Sequence, residues 1–197
     1  MKSILLASNN AGKQRELLAL LGDLGLEILT PAALGLDLEV AETGTTYVEN
    51  AVLKAEAFGA HSGLVTLADD SGLEVDALDG APGVYAARYA GPGATDAMRR
   101  AKLLAALAQV PAPRTARFRA VVAVYAPGCP LETFEGVCEG EIAFAERGAG
   151  GFGYDPIFYL PERGATMAEL PESLKNTLSH RGRAVAAARP HLARLLR

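Results

Sequence analysis

The chain has 197 residues, half of them hydrophobic, with 23 acidic against 19 basic side chains and a net charge of −4. That length suits one domain, residues 1–197, with room for a sizeable core, and the composition argues against disorder. The negative balance disfavours sequence-independent nucleic-acid binding, and no stretch reaches the roughly 20 apolar residues of a membrane span.

Ile4 to Ala7 reads as a short buried strand, too short for a signal peptide. Lys13 to Leu21 reads as a helix with an apolar stripe of Leu17, Leu18, Leu20 and Leu21, stopped by Gly22. Thr45 or Thr46 can cap a helix reaching Gly59, with Glu49 completing a capping box. Val65 to Ala68 is the next strand, and Thr95 caps a helix through Leu107. Phe118 to Tyr125 and Leu131 to Ala143 form a hairpin around Pro127-Gly128. Ile157 to Leu160 is a further strand. Ser179 caps a final helix, interrupted at Pro190, that turns Ala184, Val185, Ala188 and Leu192 inward. This alternation with one long hairpin predicts an α/β fold with a mixed β-sheet and flanking helices. Cys129 and Cys138 do not face each other across the hairpin, so no disulfide is expected and a reducing cytoplasm fits. His61, His180 and His191 stand apart, without zinc-site spacing.

Chemistry concentrates where these elements meet. Asp69 and Asp70 follow the strand of Val65 to Ala68 directly, before Ser71-Gly72. Strand neighbours point to opposite faces, so at least one carboxylate looks beyond the sheet. Paired acids, with Glu42 and Glu49 elsewhere, suit Mg2+, which takes one or two carboxylates plus phosphate oxygens. A turn stabilised by Asp is the competing reading. Ser8-Asn9-Asn10-Ala11-Gly12-Lys13 joins the first strand to the first helix. A helix N-terminus attracts anions, and Lys13 adds a full charge, so this segment is a candidate phosphate cradle; a plain cap is the alternative. Lys54 lies four residues after Asn50, on one helix face. It is a secondary candidate for offsetting phosphate charge, as Glu49 is for the metal.

Gly148, Gly150 and Gly153 satisfy the dinucleotide spacing but open a strand, not a helix, so that reading fails. What remains is a flexible glycine-rich loop bearing Phe152, Tyr154 and Asp155, suited to stacking on a flat base and bonding its edge. Lys175, His180 and Arg181 gather cationic or switchable groups near the last helix start, with a solvated basic turn as the bland alternative. Acids for a metal, cations for phosphates and aromatics for a base together point to a nucleotide with Mg2+.

The ordered motifs Ser8 to Lys13, Glu42-Thr43-Gly44, Glu49-Asn50-Ala51, Lys54-Ala55, Ala68 to Leu73, Gly80-Ala81-Pro82-Gly83, Ala87-Arg88-Tyr89, Gly151 to Pro156 and Ser179 to Gly182 run nearly end to end. In them the chain closely resembles the inosine triphosphate pyrophosphatase family; Ala86 departs from the Ser that relatives often carry. The resemblance implies an elongated two-lobed fold with the cleft between lobes, usually dimeric. It implies hydrolysis of ITP, dITP and XTP to the monophosphate and pyrophosphate. By matching position, Ser8 to Lys13 bind triphosphate, Glu42 and Asp70 hold Mg2+, Asp70 accepts the proton and Ser71 contacts substrate. Phe152, Gly153, Tyr154, Asp155, Lys175, His180 and Arg181 surround the base. Asp69 stays open as metal ligand and as alternative general base. Lys175 and Arg181, donor-only side chains, would accept a 6-oxo purine and oppose a 6-amino one. Rival readings are a pyrophosphatase for pyrimidine or modified triphosphates and a nucleotide-sensing module without catalysis.

Overall fold

The computed structural model describes residues 2–196. Strand β1 (Ser3–Leu6) pairs in parallel with β2 (Glu27–Leu29) on one side and with β3 (Val65–Val75) on the other. Strands β5 (Thr115–Tyr125) and β6 (Glu132–Ile142) form the expected hairpin. Beyond it β6, β7 (Phe158–Leu160) and β8 (Ala165–Thr166) pair antiparallel in turn, and β4 (Pro82–Gly83) pairs antiparallel with the end of β3. The order β2-β1-β3-β5-β6-β7-β8, with β4 beside β3, makes an eight-stranded mixed sheet. With its helices this is the anticipated α/β class.

Helix α1 (Ala11–Leu21) begins where Asn10 Oδ1 accepts the Lys13 N–H at 3.0 Å. Gly22 does not end the chain's helical course. A 3-10 turn follows over Gly22–Leu24, and the reversal comes at Gly25, whose φ of 64° favours glycine. Helix α2 (Tyr47–Ser62) starts at Thr46 with the full capping box and stops at Gly63. Thr95 caps α3 (Asp96–Ala106) as expected. The C-terminal region holds a short helix, α4 (Glu172–Leu178), which the periodicity does not reveal, and the long α5 (His180–Leu195). Pro190 does not interrupt α5: Ala184, Val185, Ala188 and Leu192 are all buried, and that packing offsets the one lost N–H bond.

The chain divides into two compact units: residues 1–70, 120–136 and 180–197, and residues 71–119 and 137–179. Each has its own core. In the first, Ile4, Leu6, Leu17, Leu21 and Leu67 pack with Val122, Val124, Val185 and Leu192. In the second, Leu73, Val75, Leu103 and Leu107 pack with Phe118, Ile157, Phe158 and Met167. Cys129 is exposed and Cys138 buried, both as free thiols. No helix among the described residues is long and apolar enough to cross a membrane.

Candidate active site

Strand β3 does not end at its two acids. It continues to Val75, so Asp69 and Asp70 lie mid-strand, both buried. A carboxylate there needs a cationic partner, and side chains from three helices of the first unit supply them. Asp69 meets residues of α1 and α5, and Asp70 meets residues of α2, as the alternation of a strand requires.

Lys13 Nζ lies 2.7 Å from Asp69 Oδ2, and it also reaches the Asp69 carbonyl at 3.3 Å. Arg181 donates from Nε to Asp69 Oδ1 and from one terminal nitrogen to Oδ2, both at 3.3 Å. Its other terminal nitrogen binds Glu16 Oε2 at 2.5 Å. Burial opposes ionisation of Asp69, but Arg181 and Lys13 outweigh it and hold the carboxyl far below the usual range. Burial likewise acts against the Arg181 charge, yet Asp69 and Glu16 secure it. For Lys13 burial wins, lowering its pKa despite Asp69.

On the other side, Lys54 Nζ bridges Glu42 Oε1 at 2.7 Å and Asp70 Oδ1 at 2.8 Å. Asn50 Nδ2 stands 3.5 Å from Asp70 Oδ2, while Asn50 Oδ1 accepts the Gly44 N–H at 2.8 Å. Burial pushes the Asp70 carboxyl up against the pull of Lys54 and Lys13. Lys54 itself is raised, because Asp70 and Glu42 overcome its desolvation. The adjacent acids are therefore unlike: Arg181 and Lys13 hold the Asp69 carboxyl far down, whereas burial pushes that of Asp70 up.

These contacts revise several expectations. Asp69 gives both its oxygens to Lys13 and Arg181. Arg181 is 2% exposed and gives its donors to Asp69 and Glu16, as a buried counter-ion. Glu42 is not free; Lys54 holds it. Glu49 accepts the Thr45 and Thr46 N–H groups at 2.6 and 3.0 Å, closing the capping box away from Asp70. Glu16 was not foreseen. Its signal was an acid one turn after Lys13, set within the leucine stripe of α1.

Ser8 to Lys13 do form the expected strand-to-helix turn. Ser8 Oγ accepts the Asn10 N–H at 3.2 Å, and Ser8 carbonyl accepts Gln14 Nε2 at 2.5 Å. Asn9 reaches the Leu38 carbonyl only at 3.5 Å. Ala11 and Gly12 open the helix, where the first N–H groups lack intrahelical partners. His180 begins α5 and is buried.

A second cluster lies within the second unit, where Ser71, half-buried, continues β3. Asp155 Oδ2 accepts Lys175 Nζ at 2.5 Å and the Phe152 N–H at 2.8 Å. Lys175 Nζ stands 5.3 Å from the Phe152 ring centre, within cation–π reach. Gly151, at φ 71°, is required here: a Cβ would strike Asp155 Oδ2 and crowd Lys175 Nζ. Tyr154 is a core residue, its hydroxyl donating to the Ala86 carbonyl at 2.9 Å, and is not available to stack on a ligand. Asp155 is likewise spent on holding Lys175 and Phe152. The glycine-rich loop is pinned rather than flexible, with the Gly150 N–H on the Ala168 carbonyl at 3.0 Å and the Arg147 N–H on the Pro156 carbonyl at 2.9 Å.

A mixed α/β sheet carrying a buried acid pair between lysines, beside a strand-to-helix turn, defines the class of protein. Residues 4–191 match the Ham1 family, and the chain belongs to that family. A dITP/XTP pyrophosphatase of Geobacillus kaustophilus is 54% identical over 94% of this chain and 91% of its own length. One of Geobacter sulfurreducens is 50% identical over 98% and 97%. Among solved structures, a HAM1 protein from Coxiella burnetii has a TM-score of 0.88 at 44% identity, covering 98% of this chain and all of that one. The Staphylococcus aureus Ham1 protein gives 0.86 at 41% identity, covering 98% of each.

Proposed function

We propose that this chain is a nucleoside triphosphate pyrophosphatase that hydrolyses dITP and XTP, and ITP with them, to the monophosphate and pyrophosphate. The observation that carries the reading is Asp70: a buried carboxyl 2.8 Å from Lys54 Nζ, which also holds Glu42 at 2.7 Å, on the same strand as Asp69 and its partner Lys13. Curated relatives at 54% and 50% identity named for that activity support it.

Among the described residues no group of three His, Cys, Asp or Glu could hold a metal by itself. Glu42 and Asp70 do share one ammonium at 2.7 and 2.8 Å, so this pair already accommodates a cation. Two carboxylates completed by phosphate oxygens are what Mg2+ accepts, and the donor set fits. Mg2+ held by Glu42 and Asp70 would neutralise phosphate charge and favour pyrophosphate as leaving group.

Asp70 orients and deprotonates a water for in-line attack on the α-phosphorus. The attacking oxygen forms the new P–O bond as the bond to the pyrophosphate oxygen breaks. Lys13 and the amides at the head of α1 take phosphate charge. Lys54 offsets charge on the same anion. Phe152 stacks on the base, and Lys175, donor-only, favours a 6-oxo over a 6-amino purine. The working species is a homodimer in the cytoplasm, a reading that rests on the family resemblance.

Pyrophosphate release across ITP, dITP, XTP, dUTP, TTP and ATP, with and without Mg2+, tests the proposal. Preference for the 6-oxo purines with Mg2+ is expected. Equal turnover of ATP, or dUTP and TTP as the favoured substrates, overturns it. Light scattering of the purified chain tests the dimer.

A further inference from the structure

Both polar atoms of the Gly153 peptide unit's own residue are taken by side chains of a single helix. Asp96 Oδ2 accepts the Gly153 N–H at 2.8 Å, and Arg100 donates to the Gly153 carbonyl at 2.8 Å. The two side chains are four apart, on one face of α3 near its N-terminus. Arg100 Nε also lies 2.9 Å from Glu146 Oε1, an ion pair just before the glycine-rich loop. Asp96 is oriented in turn, since its Oδ1 lies 2.5 Å from Arg99.

We infer that Asp96 and Arg100 are positioning residues for base recognition, a role that rests on the proposed assignment of Phe152 and Lys175 to the base. Gly153 follows Phe152 directly, and the Phe152 N–H is itself bonded to Asp155, the partner of Lys175. The orientation of the Phe152 ring therefore depends on a backbone gripped at two successive residues. A loop of glycines has the greatest freedom to lose on ordering; α3 fixes it before any ligand arrives. The Asp96–Gly153 and Arg100–Gly153 bonds touch neither Asp70 nor Lys13, so the clamp governs how well the base is held and leaves the hydrolytic step alone.

The test uses Arg100→Met, Arg100→Lys and Asp96→Ala in the full chain; Thr95 still caps α3 in each. For Arg100→Met the KM for dITP rises about tenfold, as loss of a charge-assisted hydrogen bond allows. Its kcat stays within about twofold of wild type, the pattern of lost uniform binding. Arg100→Lys, which keeps a donor, recovers part of the KM. Inhibition by inorganic tripolyphosphate, which has no base to be read, keeps its wild-type Ki in every variant. An unchanged KM, or a Ki that rises along with it, overturns the clamp. Amide hydrogen exchange provides a readout independent of turnover: Gly153 exchanges faster in Asp96→Ala than in wild type, and equal protection overturns the inference. Should wild type hydrolyse neither dITP nor XTP, the functional reading fails while the exchange measurement still decides whether α3 grips the loop.

Discussion

Two neighbouring aspartates are held in opposite electrostatic conditions by residues far from them in the chain. Asp69 is locked as an anion by Arg181 and Lys13, while Asp70 is pushed up by burial. Their substitutions should therefore separate. Asp70→Asn keeps a similar shape and should lose about 10²–10⁴ in kcat, the usual worth of a general base, with a thermal melt near wild type; pyrophosphate release and circular dichroism check both halves. Asp69→Asn leaves the buried Arg181 and the half-buried Lys13 short of charge, and breaking such a buried pair costs about 3–5 kcal/mol. Urea unfolding measures it. The pH dependence has a definite sign. The folded pKa of Asp69 is depressed, so its stabilisation is complete above the ordinary aspartate value of about 4 and drains as pH falls below it. Urea midpoints followed from pH 7 to pH 3 should drop for wild type with a component that Asp69→Asn lacks; parallel curves would contradict the ion-pair account. The acids and Lys13 were legible from sequence, because charged residues beside an apolar strand need a reason. The partners were not legible: Arg181 and Glu16 lie 165 residues apart, and no local pattern pairs them.

Elements announced by short-range chemistry were read correctly. Thr46 with Glu49, Thr95, and the Pro127-Gly128 hairpin each bond within a few residues, so their signals survive in a string of letters. Thr46→Ala should lower stability by about 1 kcal/mol, seen as a lower melting temperature with unchanged kcat. Strand β3 was cut short at Asp69 because two acids look like an ending, and only the helices packed on it make them tolerable inside. Strand β2 and helix α4, of 3 and 7 residues, carry too few positions to show a period. The glycine-rich loop was misjudged as flexible for a related reason. Its order comes from Asp96, Arg100 and Ala168, outside the segment itself. Gly151→Ala puts a methyl on Asp155 and Lys175 at a backbone angle that disfavours it, and should raise the KM for dITP more than it lowers kcat in steady-state assays.

Across the whole molecule, the fold class followed from strand–helix alternation and two lobes from the family resemblance, while the membership of each core did not. The apolar residues of Leu73 to Met167 and those of Ile4 to Leu192 are alike in type, and nothing in the letters assigns them to separate clusters. The net charge of −4 opposes a polyanionic substrate at long range. Under the proposed function, Lys13, Lys54 and a bound Mg2+ would offset that repulsion locally. Chelation of divalent cations should abolish pyrophosphate release, with Mg2+ restoring it; activity that persists in chelator would remove Glu42 and Asp70 from any metal-holding role.

The bond between Arg181 and Asp69 spans 112 residues of chain. During synthesis the acid leaves the ribosome long before the guanidinium that keeps it ionised, and Glu16 waits longer still. A nascent chain can thus complete its early strands while Asp69 still lacks the guanidinium that α5 brings to it.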